Sequence, residues 1–498
     1  MKVIIIGSGI GGSGIGALLS KENKLDIILF EQNTILGGRC ASYNKKDEQG
    51  RTWRMDIGCH IISNCEKGPL GEILDRCGQT VEWSHTVNPG PRINIMGNWI
   101  SYSGQRKKVK KKKVKKKKDR PTKSKKPAPG KEIMQKFMAM TPEEIKKLDE
   151  VRLIDYLNEV IPDSSRYAMT KMMYMMQGGV MFGTAPDVSS AGEFVRCVRL
   201  NGMNRSMGYP IGGCGAIPEA YCKAIENSGG KIIIGEDGTV NKIIVEDGKV
   251  NGIEAGSDNK FYPADIVISN ADIKTTILKF VGEKFFDKAY TERIKGLTWG
   301  GQVCSQKIAL DTIITDQKMI TYVPPMDMKI LETLRGKFDG SAINNQDMEI
   351  PEKSALLIVP VSNHDPKLAP EGCQNIHTVT TTLGVSNLTM AKREANSKKW
   401  EATCLNSLLS LWPEVEEHIV FTDFVSDVYL EKRMGKEGAG TGIGQTIDQV
   451  GDKRPSQKTP IEGLYLSSAD AGGWGIGTEL AAMSAIELFE ILKQDKIM

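Results

Sequence analysis

Short apolar runs and helical periodicities alternate from the first residues of the chain. Val3-Ile4-Ile5-Ile6 is a β-branched run bounded by glycine and reads as a buried parallel strand. Gly7-Ser8-Gly9-Ile10-Gly11-Gly12 follows, and Ile10, Gly14, Ala17 and Leu18 then recur at helical spacing. A second apolar strand over 25–30 ends in Glu31. Residues 92–102 alternate as strands of a second sheet do, and 131–205 read as mostly helical. Thr141-Pro142-Glu143-Glu144 supplies a helix start there. A glycine-rich stretch over 208–215 opens a helix over 216–227. Short strands are expected at 231–234, 240–246, 249–255 and 260–263, with Asp237-Gly238 and Asp247-Gly248 as hairpin turns. Residues 264–270 read as a return strand to the parallel sheet, and 302–310, 354–361 and 376–383 as longer strands between helices. At the far end a strand over 461–470 closes on Asp470. Gly472-Gly473-Trp474-Gly475-Ile476-Gly477 follows, then a long helix over 478–493.

Strand, glycine turn, helix, strand and acid in that order make a dinucleotide-binding unit. The glycines let the backbone approach a pyrophosphate at a positive helix N-terminus, and Glu31 stands where a ribose hydroxyl needs an acceptor. The unit alone leaves NAD and FAD open. Gly37-Gly38-Arg39 adds a second flexible turn with a fixed cation.

Composition narrows the picture in three ways. At 498 residues the chain is long enough for two domains or more. It has no apolar run of the length a membrane-spanning helix needs. Its 10 cysteines show no CxxC pair and no close Cys/His cluster, which argues against a zinc or iron–sulfur site and for a reduced, cytoplasmic protein. The net charge of +5 belongs to one segment: residues 106–126 hold 15 Lys/Arg against Asp119. The remaining 51 basic and 60 acidic residues balance to −9. Such a block reads as a solvated insertion, as an attachment to anionic membrane, or, least in keeping with its lack of aromatics, as a nucleic-acid contact. Residues 166–182 are dense in methionine. Met172, Met176 and Met181 there suit either a pocket for a long flexible apolar ligand or ordinary core filling.

The N-terminal glycine turn, the Gly212-Gly213-Cys214-Gly215-Ala216-Ile217-Pro218 helix start, the Asp-Gly-punctuated strands and the terminal strand–Asp470–glycine–helix stand in the order of one family. The chain resembles the FAD-dependent phytoene desaturase and carotenoid isomerase group of the amine oxidase superfamily, nearly end to end. That resemblance implies an α/β fold: a Rossmann-like FAD-binding domain of the GR2 type, with a parallel sheet and β-meander, plus an interleaved α+β substrate domain. The FAD-binding parts would cover 1–92, 206–275 and 422–498, and the substrate parts 93–205 and 276–421. It implies pyrophosphate contacts at Gly7, Ser8, Gly9, Gly11 and Gly12, and ribose contact at Glu31 with Gln32. Gly37, Gly38 and Arg39 would lie beneath the diphosphate and ribityl chain, Val240 at the adenine, and Asp470 at the ribityl–diphosphate region. Gly477-Thr478 would be the helix start aimed at the flavin N1/O2 edge, where negative charge is stabilised. His60, in Asp56-Ile57-Gly58-Cys59-His60, matches a loop near the isoalloxazine ring and is the candidate proton carrier. Met172, Met176, Met181 and Trp474 are the candidate substrate pocket, and no metal is expected.

The implied activity is hydride transfer between flavin N5 and a C–C bond of an apolar, isoprenoid or polyene lipid, with an external electron acceptor or donor. The enzyme would be cytoplasmic, or peripheral at the membrane through 106–126. The other expectations are an FAD amine oxidase and a prenyl-lipid escort protein without catalysis. From Ser468 to Glu479 the chain departs from the carotenoid pattern, with Trp474 and Glu479 added, so the cofactor is implied more narrowly than the substrate.

Overall fold

The computed structural model describes residues 1–22, 25–58, 60–86, 90–101, 127–325, 349–382, 388–436 and 440–497; the basic segment 106–126 lies outside them. Its first layer is a five-stranded parallel sheet. From one edge the order is Leu464–Leu466, Ile266–Ser269, β1 (Lys2–Ile6), β2 (Asp26–Glu31) and Lys231–Ile234. The period of two along β1 divides the chain's core. Val3 and Ile5 face a cluster with the helices α1 (Ile10–Leu19), Ala216–Asn227 and Gly477–Gln494. Ile4 and Ile6 face the opposite cluster, built with Val240, Ile243 and Ile253 of a three-stranded antiparallel meander. A strand buried on both faces needs no polar alternation, which is why this run is uniformly apolar.

Asp247-Gly248 forms the expected hairpin turn, with both residues at positive φ (+50° and +78°) between Val240–Glu246 and Lys249–Ala255. Asp237-Gly238 does not form one. Lys231–Ile234 pairs in parallel with β2 rather than with the meander, so this turn carries the chain from one sheet to the other. The apolar pattern of Lys-Ile-Ile-Ile fits either sheet equally. Of the terminal run only Leu464–Leu466 is strand, and Ser468 to Ala471 closes as a tight bridge.

The second sheet has seven strands in the order Ile419–Val425, Gln302–Leu310, Gln374–Thr382, Leu356–Pro360, Ile320–Val323, Arg92–Ile95, Asn98–Ser101. All neighbours are antiparallel except Ile320–Val323 with Arg92–Ile95. Ile419–Val425 pairs with Gln302–Leu310 out to Val425. Residues 422–425 therefore stand in this sheet, and the expected division at 421/422 cuts a strand. A helical layer over 129–204 packs around Phe137, Leu157 and Phe194, and Thr141 with Glu144 makes the capping box its sequence suggested.

The helix Met390–Leu411 is tied to Asp427–Met434 by one side chain. Arg393, buried, donates through Nε to Asp427 and through Nη1 to Glu431. Removing the cation leaves two carboxylates facing each other with little solvent. Arg393→Met is expected to destabilise the fold by about 3 kcal/mol in urea unfolding, against under about 1 kcal/mol for an exposed pair such as Lys432 with Glu394.

Candidate active site

At the end of β1 the chain turns at Gly7 (φ +93°) and enters α1 with Gly9 as N-cap and no side chain capping it. The first-turn N–H groups of a helix lack intrahelical acceptors, so a bare start of this kind accepts an anion. The space is set by backbone. A Cβ on Gly11 would meet the Ser467 carbonyl oxygen at 2.2 Å, and one on Gly12 the Gly7 carbonyl oxygen at 2.0 Å. The C-terminal ends of the neighbouring strands brace the turn: Asn270 Nδ2 donates to the Ser467 carbonyl at 2.6 Å, and Ser467 Oγ to the Gly11 carbonyl at 2.9 Å.

The other expected cofactor residues gather here. Glu31 is buried, and one carboxylate oxygen accepts from Ser8 N (2.9 Å) and Oγ (2.7 Å), the other from Asn33 N (2.9 Å) and Nδ2 (2.7 Å). Ser8 Oγ in turn accepts from Gly37 N at 2.9 Å, which draws the second glycine turn onto the first. Gln32 Nε2 reaches the Arg433 carbonyl at 2.9 Å. Arg39 donates to the carbonyls of Gly440 (2.5 Å) and Thr441 (3.3 Å). Val240 packs in the cluster that holds Ile6 and Phe30. Asp470 is buried in a bidentate pair with Lys436 Nζ (2.6 and 2.8 Å), which also lies 4.2 Å from the Trp299 ring centroid. Asp272 stands 3.6 Å from the same ammonium, and burial together with the Asp470 charge raises its pKa against the pull of Lys436.

The last helix begins at Gly477 with Ile476 as N-cap and no side-chain cap. Within its first turn Glu479 accepts from Asn64 N (2.9 Å) and Nδ2 (3.0 Å), so the loop that carries His60 is fastened to this helix start. Beside it a narrow cleft, partly open to solvent, is lined by Met181, Leu200, Asn201, Trp474, Glu479 and Met483 among others. Met181 and Trp474 both line it. Met172 and Met176, half-buried on the same helix as Met181, are not in its lining.

His60 lies on the other side of the loop, over the second sheet. Strand register places Asp423, Lys307 and His377 in one cross-strand row, and His60 and Asp56 cover that row. The His60 and His377 rings are 5.2 Å apart, edge to face, and His377 Nδ1 is 3.8 Å from an Asp56 oxygen. Asp56 is held by Ser42 Oγ, Tyr209 Oη and Cys214 N. Lys307 Nζ donates to the Ile57 carbonyl and Ser305 Oγ, both at 3.0 Å. Burial brings the Lys307 pKa down to about 7 against the opposing pull of Asp423 and Asp56. Burial, then the neighbouring charges, also keeps His60 and His377 well below the usual histidine range, hence neutral.

Sequence reasoning missed Lys307, His377 and Lys436. Lys307 left one signal: a lone lysine inside Gln-Val-Cys-Ser-Gln-Lys-Ile-Ala-Leu, on the face of Ser305 and Ala309, in a strand buried almost throughout. A cation there needs partners from elsewhere in the chain. His377 carried no signal by itself, because its relation to His60 exists only through strand register.

Residues 5–77 match the family described as an NAD(P)-binding Rossmann-like domain. The chain is 24% identical to the all-trans-retinol 13,14-reductase of Danio rerio, over 94% of this chain and 82% of that protein. It is 29% identical to the chloroplastic prolycopene isomerase 2 of an Oncidium hybrid cultivar, over 38% of this chain and 29% of that one. Among solved structures it is similar to an oxidoreductase from Methanosarcina mazei, with a TM-score of 0.63 at 19% identity, covering 98% of this chain and 100% of the other. The fold is therefore an N-terminal Rossmann-like dinucleotide-binding unit with an interleaved mixed sheet-and-helix part. Its sequence relationship to carotenoid and retinoid oxidoreductases is distant. No helix among the described residues is long and apolar enough to cross a membrane.

Proposed function

We propose that the chain is an FAD-dependent oxidoreductase acting on C–C bonds of a long apolar isoprenoid or polyene lipid, by desaturation, saturation or isomerisation. One observation carries the reading. Two helix starts without side-chain caps, at Gly9 and Ile476, lie on helices that share one core, the first at a glycine cradle and the second beside a narrow, mostly apolar cleft. A charged diphosphate and an electron-rich ring edge need such ends. In this reading the backbone over 9–12 holds the diphosphate, and Gly37, Gly38, Arg39 and Asp470 border it. Glu31 with Gln32 takes the ribose, Val240 borders the adenine, and Gly477-Thr478 faces the ring. Ribose binding at Glu31 exchanges a bond now made by Asn33, and Lys436 neutralises Asp470 next to the phosphates. Bound there, the cofactor supplies hydride exchange with a substrate carbon.

The protein's own groups position the substrate and handle protons. Met181, Trp474 and Met483 exclude water from an apolar chain, while Glu479 holds the loop of His60 against the helix start. Lys307, the one group in the row poised near neutrality, takes up or releases a proton at Nζ, with the neutral rings of His60 and His377 beside it. Names among the relatives, a retinol reductase and a prolycopene isomerase, support a polyene substrate. An external acceptor or donor balances the electrons. The basic segment 106–126 suits a cytoplasmic enzyme collecting lipid at an anionic membrane, at about 1 kcal/mol per Lys/Arg near the surface.

Anaerobic absorbance titration of the purified protein with a retinoid, a carotenoid and a panel of aliphatic amines tests the substrate class. Flavin bleaching by a polyene, or consumption of a polyene by the pre-reduced protein, is expected, with no response to amines. A response to amines alone replaces the proposal with an amine oxidase. Stoichiometric lipid binding by flavin-free protein replaces it with an escort role.

A further inference from the structure

The row beneath the His60 loop contains an unsatisfied set of donors. His60 and His377 are 5% and 0% exposed, and none of their four ring nitrogens has a hydrogen-bond partner among the described residues. Burying a polar group without a partner is costly, and two such rings in contact are an uncommon concentration of that cost. A ligand nitrogen of each ring and an oxygen of Asp56 all lie within 4.8 Å of one another. We infer that Asp56, His60 and His377 bind a divalent transition cation, of which zinc is the natural occupant.

The ligand chemistry fits. Two imidazoles and a carboxylate are a common three-ligand set for zinc, with water in the fourth position. A tetrahedral zinc site has ligand edges of about 3.3 Å, so the three side chains need to close by only about 1 Å each. The carboxylate is already oriented as a ligating carboxylate is, by Ser42 Oγ, Tyr209 Oη and the Cys214 N–H. Lys307 Nζ is turned to the Ile57 carbonyl and Ser305 Oγ, and Asp423 stands opposite it in the row. The ligands come from the end of the strand Thr52–Asp56, the loop after it and the strand Gln374–Thr382. A bound ion therefore clamps the loop to the second sheet. That separation, more than 300 residues, is why the cysteine and histidine spacing pointed to no metal.

A second metal-capable group, Cys65, Glu66 and His85, is partly exposed and provides the control. Protein produced in zinc-supplemented medium and desalted over a weak chelator is measured by plasma emission spectrometry. About one zinc per chain is expected, falling about tenfold or more in His60→Asn and in His377→Asn, and unchanged in His85→Gln. Zinc-free wild-type protein overturns the inference, and so does zinc retained in both histidine variants. If the variants do not fold, cobalt-loaded wild-type protein decides. Tetrahedral d–d bands without a thiolate charge-transfer band are expected, and a thiolate band places the ion at Cys65 instead. Flavin content of the same samples separates the two readings: flavin without metal sinks only the metal site, and metal without flavin sinks only the proposed cofactor.

Discussion

Gly12→Ala is expected to yield folded protein that has lost its flavin, with affinity reduced about 100-fold, the equivalent of the upper part of the range of about 1–3 kcal/mol for overpacking. The new Cβ would stand 2.0 Å from the Gly7 carbonyl oxygen, and backbone on both sides means that neither can give without opening the turn. Gly9→Ala is the contrast. Its Cβ would meet only the Asn270 side-chain oxygen, at 2.5 Å. That amide can rotate at the cost of its bond to the Ser467 carbonyl, so a loss of about tenfold or less is expected, near 1 kcal/mol. Flavin fluorescence after gel filtration, read beside circular dichroism, separates a lost cofactor from a lost fold. Equal retention by Gly12→Ala and wild type contradicts a cradle set by backbone contact.

Lys307→Met is expected to remove a pH dependence from the stability of the fold. The unfolded chain keeps the lysine proton up to the ordinary value of 10.5, whereas the folded protein releases it at about 7. Between those values the unfolded state binds more protons, so the wild type gains stability as pH rises, and the whole displacement is worth about 5 kcal/mol. The methionine variant lacks this gain. It also leaves the Ile57 carbonyl without its donor, at a cost of about 1–2 kcal/mol at every pH. The variant is thus expected to be the more stable protein near pH 6, with its advantage shrinking by about 3 kcal/mol by pH 9.5. Urea denaturation at a series of pH values measures this. Parallel profiles for the two proteins mean that the ammonium is solvated or fully paired in the folded state.

The parts of this molecule written in contiguous residues were legible before the structure. The β1 strand, the glycine turn, Glu31 and the last helix each depend on local spacing, and the Asp247-Gly248 hairpin on two adjacent residues that tolerate positive φ. What depends on pairing at a distance was not. Asp237-Gly238 has the same chemistry as Asp247-Gly248, yet it ends as a crossover because Lys231–Ile234 pairs with β2 and not with the meander. The row of Asp423, Lys307 and His377 is assembled by register between strands whose own patterns say only that they are buried. Lys436 was likewise silent, because the partners that identify it, Asp470, Asp272 and Trp299, come from three other segments. Sequence reached the two glycine turns and stopped short of the buried row beneath the His60 loop.

In the proposed function, the two uncapped helix starts and the glycine turn hold FAD. Native protein, purified without added cofactor and denatured in acid, releases whatever the cradle carries for identification by liquid chromatography and mass spectrometry. FAD at close to one molecule per chain is expected. Release of a nicotinamide dinucleotide in its place, or protein that neither contains flavin nor takes up added FAD, contradicts it.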